Sequence, residues 1–486
     1  MSKILNFQGN NTFVYFTILS IILFGFILRF YNIGYENLWF DEMFSFWVTD
    51  PSLSFTDTFS RIKSTEAVPF LYYYLIKFCN YLFGYDPIVG RMFSAFFGFL
   101  SIFTVSNLCR KFVKDKSYLL TICLISLNIY LIVYSQEMRV YIFTFFLVST
   151  ALVFFFNLYD EQRSKIFTKN FILFSFFMLL AIFSHPFSII ILGSLICFIF
   201  VDYIFFKNKN KKVNISLIFI SIMTLFFLFH YLRYVETDNV SWINQPELKF
   251  FTNFYFSKFF GSRLLGIIHL VILIFLSLHL WNKVVANRKI IFLYIMLFLT
   301  YFIPLIYGYV LEPIIFPKYI IFVLIPIILI ISVLTFHLEN KKIRNFFIIL
   351  LILLNFGNHF AESTFKQFYN EKVKFNPDFD SALKIIENSE TNKMIFYIDH
   401  KGKKNRDYEV QDYYKSVLFN YGRAIINNEQ YEINLLSKNL ENYKGKIWNI
   451  CLTNPINECY KPNQKINVLN ENFLQGGLKL DLWDIE

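Results

Sequence analysis

The sequence predicts a polytopic α-helical membrane protein with about eleven transmembrane helices and a small extracytoplasmic α/β domain at the C-terminal end. Three observations carry that prediction. Apolar runs recur along the first three-quarters of the chain, short basic clusters follow every second run, and the composition turns polar beyond about residue 361. Of 486 residues, 56% are hydrophobic and 21% aromatic, with a mean hydropathy of +0.47. Soluble domains rarely have that balance. The 65 Phe and 31 Tyr, with abundant Ile, Asn and Lys, reflect a compositional bias rather than a mechanism.

The first apolar run, Phe13 to Phe30, is long enough to cross a bilayer. No small-residue cleavage site follows, so it reads as a retained helix rather than a signal peptide. The expected spans are 12–30, 88–108, 117–134, 139–157, 170–184, 187–206, 213–232, 263–281, 290–310, 319–337 and 344–360. Ser184-His185-Pro186 makes a very tight turn between the fifth and sixth.

The loops after the even-numbered spans hold Lys and Arg. They carry Arg110, Lys111, Lys114 and Lys116; Arg163, Lys165 and Lys169; Lys207, Lys209, Lys211 and Lys212; Lys283, Arg288 and Lys289; and Lys341, Lys342 and Arg344. The opposite loops are sparse in both. This pattern predicts a multi-pass protein of the plasma (inner) membrane with a cytoplasmic N-terminus. It also accounts for the net charge of +11, which is therefore no sign of nucleic-acid binding.

Three features fall on the outer side. The long first loop, about 31–87, contains Asp41-Glu42 and the aromatic stretch Phe70 to Phe83, which reads as an interfacial helix with Lys77 snorkelling. The second is the loop 233–262, with Trp242, Pro246 and an aromatic piece from Phe250 to Phe260. The third is the tail, 362–486, expected to be periplasmic or extracellular and distinct from the transmembrane domain 1–361. In it Asp378 to Asn388 and Val410 to Tyr421 read as helices, and Met394 to Ile398 and Lys446 to Leu452 as strands. Cys451 and Cys459 either pair in an oxidising compartment or stay as two thiols. Cys79, Cys109, Cys123 and Cys197 sit in or beside membrane segments as small apolar residues.

No Walker A loop, GxGxxG, CxxC pair or HExxH is present, so nucleotide hydrolysis and zinc-peptidase chemistry lack sequence support. The ionisable residues near the outer face are Asp41, Glu42, Glu66, Glu137, Arg139, His185 and Lys318. Arg139, His185 and Lys318 lie in short turns fixed by helices, which suits a site. Carboxylates with Arg and Lys fit transfer from a lipid-linked sugar phosphate. Negative charge grows on the leaving phosphate and calls for cations, while the attacking hydroxyl calls for a base. Each residue also has a plainer reading: interfacial anchors for Arg139 and Lys318, a turn residue for His185, a surface carboxylate for Glu66, and a structural pair for Glu137 and Arg139.

Leu28-Arg29-Phe30 followed by Leu38-Trp39-Phe40-Asp41-Glu42 resembles the start of the protein mannosyltransferases and aminoarabinose transferases of the glycosyltransferase C (GT-C) superfamily. Pro69-Phe70-Leu71-Tyr72-Tyr73-Tyr74, Tyr134-Ser135-Gln136-Glu137-Met138-Arg139-Val140-Tyr141 and Phe316-Pro317-Lys318-Tyr319 resemble later segments of that family, and the tail resembles that of bacterial members. The resemblance implies a membrane glycosyltransferase moving a sugar from a polyprenyl-phosphate (undecaprenyl-type) donor to a lipid, glycan or protein acceptor on the outer face. Asp41 would act as base with Glu42 assisting. Arg139 and Lys318 would hold the phosphate, with Glu137, Tyr319, His185 and Glu66 lining the site. Direct displacement with inversion is implied too. The chain departs from the family at Ala67-Val68-Pro69, where relatives often read His-Pro-Pro, and at Lys318, where many bacterial members carry arginine. No cofactor is called for, no metal ligands are assigned, and participation of a divalent cation is left open. The competing readings are a non-catalytic transporter or flippase of lipid-linked saccharides and a polysaccharide polymerase or ligase. The first would show related halves or mid-span charges, and the second a large loop between late spans.

Overall fold

The computed structural model describes residues 10–65, 69–113, 116–161, 165–208, 210–231, 243–361, 376–398, 412–426, 434–435, 443–452 and 464–486, with Arg233, Leu440 and Cys459. The chain divides into two compact units. The first comprises Met1–Tyr31, Phe59–Leu75 and Arg91–Phe368, and the second Asn32–Thr58, Ile76–Gly90 and Tyr369–Glu486.

In chain order the helices are α1 (Asn10–Phe30), α2 (Phe40–Val48), α3 (Phe55–Thr65), α4 (Leu71–Phe83), α5 (Pro87–Phe112), α6 (Ser117–Leu127), α7 (Ile129–Ser135), α8 (Val140–Tyr159) and α9 (Lys169–Ser184). They continue with α10 (Ser188–Phe206), α11 (Lys211–Tyr231), α12 (Leu248–Asn253), α13 (Phe256–Phe259), α14 (Arg263–His279), α15 (Trp281–Ala286), α16 (Arg288–Val310), α17 (Leu324–His337) and α18 (Lys341–Ala361). Over its described residues, each of the eleven apolar runs is mainly helical. By length and apolarity α5, α8, α10, α11 and α16 suffice to cross a membrane, and α6 with α7, bent by 55°, makes a sixth. The stretches Tyr15–Phe30, Lys169–Ser184, Arg263–His279 and Ile321–His337 are shorter apolar helices.

Most of these helices are apolar all round, as elements facing either lipid or other helices must be. Two lie at the centre of the first unit. Helix α8 is 83% buried over its apolar window, against 33–44% for the other long spans, and α17 is buried from Leu324 to Thr335. Helix α9 packs along α8, α16 along α10, and α6 against both α1 and α17.

The break between α6 and α7 is built, not frayed. A helix interrupted in an apolar interior exposes carbonyls that must find donors. Arg29, fully buried on α1, donates to the carbonyls of Ile125 and Ser126, each at 3.0 Å. His359 Nε2 of α18 donates to the Leu127 carbonyl at 2.8 Å. Asn128 caps α7 by accepting from the Leu131 N–H at 3.0 Å and donates to the Phe259 carbonyl at 3.0 Å. Helix α7 then approaches α5 so closely that a Cβ on Gly98 would fall 2.0 Å from Ser135 Oγ.

The second unit contains a five-stranded sheet in the order β2-β1-β3-β5-β4, from β1 (Lys393–Ile398), β2 (Asn434–Leu435), β3 (Gly445–Leu452), β4 (Ile466–Leu474) and β5 (Leu478–Ile485). β1 runs parallel to β2 and β3, whereas β5 runs antiparallel to β3 and β4. Helices α19 (Phe379–Glu387) and α20 (Asp412–Ile426) belong to the same unit. Asp378 caps α19, accepting from the Ser381 N–H at 3.2 Å. Ile395, Leu440, Ile447, Trp483 and Ile485 form a core cluster. Cys451 and Cys459 are joined in a disulfide with Cα atoms 5.8 Å apart.

The first-loop helix α2 packs in this unit. Phe40 lies 6.2 Å from Phe379 and 6.1 Å from Phe396, ring to ring, and Phe46 stacks on Tyr85 at 3.9 Å. Lys77 of α4 is turned inward instead of snorkelling: its amine donates to the Leu53 carbonyl and, at 2.8 Å, to Thr58 Oγ1. The strands expected at Met394 and Lys446 are present, but the hairpin of β4 and β5 was not anticipated. The residues of β4 are largely exposed and lack a clean apolar alternation.

Candidate active site

Three short turns of the first unit meet around one ring, that of Tyr141. The first turn follows α7, whose broken span delivers Gln136 to Arg139. Gln136 Nε2 donates to the Leu28 carbonyl at 2.8 Å, and the Arg139 N–H to the Glu137 carbonyl at 2.8 Å. The extended backbone at Arg139 (φ −137°, ψ 154°) then starts α8. Its guanidinium carbon lies 5.9 Å from the Tyr141 ring, and the residue is 5% exposed.

The second turn is Ser184-His185-Pro186-Phe187, closed by the Ser188 N–H donating to the His185 carbonyl at 3.0 Å. The imidazole of His185, 3% exposed, sits 5.9 Å from Tyr141, 5.6 Å from Tyr319 and 5.5 Å from Phe187, between ring centres. Burial pushes its pKa down to about 3, and the charges of Arg139 and Lys318 push the same way.

The third turn precedes α17, where the Tyr319 N–H donates to the Phe316 carbonyl at 3.0 Å. Lys318 Nζ lies 5.5 Å from the Tyr141 ring, 5.6 Å from Phe316 and 5.9 Å from Tyr319. The arrangement is two cations and a buried imidazole on a floor of Tyr141, Tyr319 and Phe187. Aromatic faces attract cations through the ring quadrupole. Such a locus suits a phosphate, with Arg as a planar fork and Lys as a point charge.

Arg139, His185, Lys318 and Tyr319 are thus brought together. Glu137 and Lys318 both act electrostatically on Tyr134, whose ring lies 5.5 Å from Tyr141. A further cation escaped the sequence reading: Lys258 Nζ, on α13, lies 5.9 Å from the Phe316 ring. It is presented by two consecutive left-handed residues, Phe254 (φ 46°) and Tyr255 (φ 62°), which end α12 and start α13. Nothing in its composition marks that turn.

Asp41 and Glu42 belong to the second unit, in the first turn of α2. The carboxylate of Glu42 accepts from the Trp39 N–H at 3.2 Å and the residue is 1% exposed, so it caps its own helix. Asp41 is half-buried, and its carbonyl accepts from Ser45 Oγ at 3.0 Å. Negative charge in the first turn is favoured by the helix dipole. Glu66 and the adjacent Ala67-Val68 lie outside the described residues. Among the described residues no group of three or more His, Cys, Asp or Glu is placed to hold a metal ion.

No protein-family model and no curated protein matches the sequence. Solved structures do match its fold. The apo structure of ArnT from Cupriavidus metallidurans superposes with a TM-score of 0.60 at 11% identity, covering 98% of each chain. The chain has the GT-C fold. Its likeness to the same ArnT bound to undecaprenyl phosphate gives 0.56 at 10% identity, again over 98% of each chain. The oligosaccharyltransferase of Archaeoglobus fulgidus, solved with Zn and sulfate, gives 0.54 at 12% identity over 77% of this chain. That alignment spans only 55% of the archaeal chain. The overlap with ArnT takes in nearly the whole of both chains.

Proposed function

We propose that this protein is a membrane glycosyltransferase that takes a sugar from a polyprenyl-phosphate donor and passes it to an envelope acceptor on the extracytoplasmic face of the plasma membrane. The observation that carries the reading is the meeting of Arg139 and Lys318 around Tyr141, a cationic locus in a fold whose ArnT example is solved with undecaprenyl phosphate.

In the reaction, the bond from the anomeric carbon to the phosphate oxygen breaks and its electron pair stays on the phosphate. Arg139 and Lys318 stabilise the charge that grows there. The acceptor hydroxyl forms the new bond from the opposite side, with inversion, and its proton passes to Asp41. Glu42 supports the reaction by holding the start of α2, which carries Asp41, rather than by proton transfer. The disulfide between Cys451 and Cys459 favours an oxidising compartment for the second unit, in keeping with the basic loops facing the cytoplasm. The acceptor class is a lipid, a glycan or a protein hydroxyl.

Comparison of envelope glycolipids and glycoproteins by mass spectrometry, with and without the gene, tests the activity directly. A sugar modification disappears on deletion, returns with the wild-type gene, and does not return with Asp41→Asn although that variant inserts normally. Full restoration by Asp41→Asn would remove Asp41 as the base. An unchanged glycan profile on deletion, with lipid-linked saccharide stranded on one leaflet, would favour a flippase.

A further inference from the structure

The two nitrogens of His185 are unlike. The Phe187 N–H donates to Nδ1 at 3.3 Å, so Nδ1 bears the lone pair and the ring is the Nε2–H tautomer. The lone pair is then in use. A second proton on Nδ1 would meet the Phe187 N–H head-on. Nε2–H has no hydrogen-bond partner among the described residues, on a side chain that is 3% exposed. A ring so enclosed, with Nδ1 in use and no acceptor for its other N–H among the described residues, is placed to donate to a ligand. The charged and titratable groups facing the ring are Arg139 from the turn before α8, Tyr141 from α8, and Lys318 and Tyr319 from the turn before α17.

We propose that His185 is a neutral donor to the phosphate: its Nε2–H binds a non-bridging oxygen of the polyprenyl phosphate that Arg139 and Lys318 hold, and it never serves as acid or base. This rests on the phosphate-binding reading above and adds a residue role to it. The physics favours neutrality. A third charge beside Arg139 and Lys318 would add like-charge repulsion, and the depressed basicity of the ring agrees. A neutral N–H contributes a hydrogen bond to an anion without that penalty. The two cations then stand against the phosphate as it goes from one negative charge in the diester donor to two in the released monoester. The leaving oxygen departs as an oxyanion, since His185 has no proton to give without becoming an anion.

Binding of undecaprenyl phosphate to the purified full-length protein in nanodiscs tests this. His185→Phe, which keeps the ring packing and removes the donor, weakens binding about ten-fold, whereas His185→Gln, whose amide reaches the Nε2 position, stays within about three-fold of wild type. Arg139→Ala and Lys318→Ala serve as controls for the phosphate site. If they weaken binding and His185→Phe does not, His185 only packs and the proposal falls. If none of them matters, the phosphate reading falls as well. Wild type and His185→Gln follow parallel affinity profiles between about pH 5.5 and 8; extra tightening of wild type alone below pH 6.5 would reveal an imidazolium and overturn neutrality. Should His185→Phe fail to fold, nitrogen-15 spectra of histidine-labelled wild type decide. The proposal expects an Nε2–H tautomer whose Nε2 signal moves on adding undecaprenyl phosphate, and an unmoved signal overturns it.

Discussion

At the scale of single residues, the site depends on side chains that are costly to bury and are nonetheless buried. Arg139 is 5% exposed, and burying a guanidinium is costly unless it is paired. Lys318→Ala is expected to weaken undecaprenyl-phosphate binding about ten-fold while leaving acceptor affinity unchanged. Lys318→Arg, which supplies a fork in place of a point charge, should bind at least as well as wild type. Isothermal titration reads both, and equal losses for donor and acceptor would contradict the assignment. His185 also leaves a signature in stability. Its native pKa, about 3, lies below the ordinary histidine value, so between about pH 6.5 and 3 the unfolded chain takes up a proton that the native chain refuses. Stability attributable to this group is therefore complete above pH 6.5 and is lost as the pH falls. Thermal unfolding of wild type should drop more between pH 7.5 and 5 than that of His185→Gln. Equal drops would mean the ring is less buried than described.

At the scale of elements, the broken span is the part that aims the chemistry. The sequence reads 117–134 as one continuous helix, yet the chain bends by 55° between Leu127 and Ile129. No proline or glycine announces the break; residues 125–131 read Ile-Ser-Leu-Asn-Ile-Tyr-Leu. Asn128 holds the only local signal, a cap residue for α7. The rest of the explanation is remote, because Arg29 and His359 satisfy the carbonyls that the break releases. Arg29→Met is accordingly expected to destabilise the first unit by roughly 3 kcal/mol, since two buried carbonyls lose a charged donor. It should also reduce transfer activity, because the segment that ends in Arg139 loses its anchor. Arg29→Lys, with one point charge for two carbonyls, should recover only part. Urea or thermal unfolding in detergent checks the first effect and product formation the second. The helices at 378–388 and 410–421 and the strands at 394–398 and 446–452 are legible because short amphipathic or apolar patterns remain intact in a soluble fold. The hairpin of β4 and β5 is less so, because β4 is mostly solvent-facing and gives up the apolar alternation that marks a half-buried strand.

At the scale of the whole molecule, two independent kinds of order meet in one chain. The helices follow the demands of lipid and the sheet those of water. The Cys451–Cys459 link closes a short loop, and Cys459→Ser should cost about 2–3 kcal/mol of second-unit stability by loop entropy. The loss should vanish when both proteins are compared under reducing conditions. Sidedness has its own check. In a background lacking Cys197, a cysteine at Glu390, 80% exposed, should react with an impermeant maleimide on intact cells, whereas one at Glu339, 87% exposed, should not. The opposite pattern would reverse the orientation argued from the basic loops.

The sequence by itself determined where the apolar helices fall, the alternation of basic loops, the polar tail and the small set of ionisable residues available for chemistry. Those are local quantities: a bilayer requires a minimum apolar length, and charge distribution is written residue by residue. The tertiary structure alone decided which of those residues touch. It set Arg139, His185 and Lys318 around Tyr141, added Lys258 through a left-handed turn, and turned Glu42 back on its own helix. It also broke one span and docked α2 beside Phe379 and Phe396. These outcomes rest on contacts between segments far apart in sequence, where one donor or one ring is matched to a group no local pattern can specify.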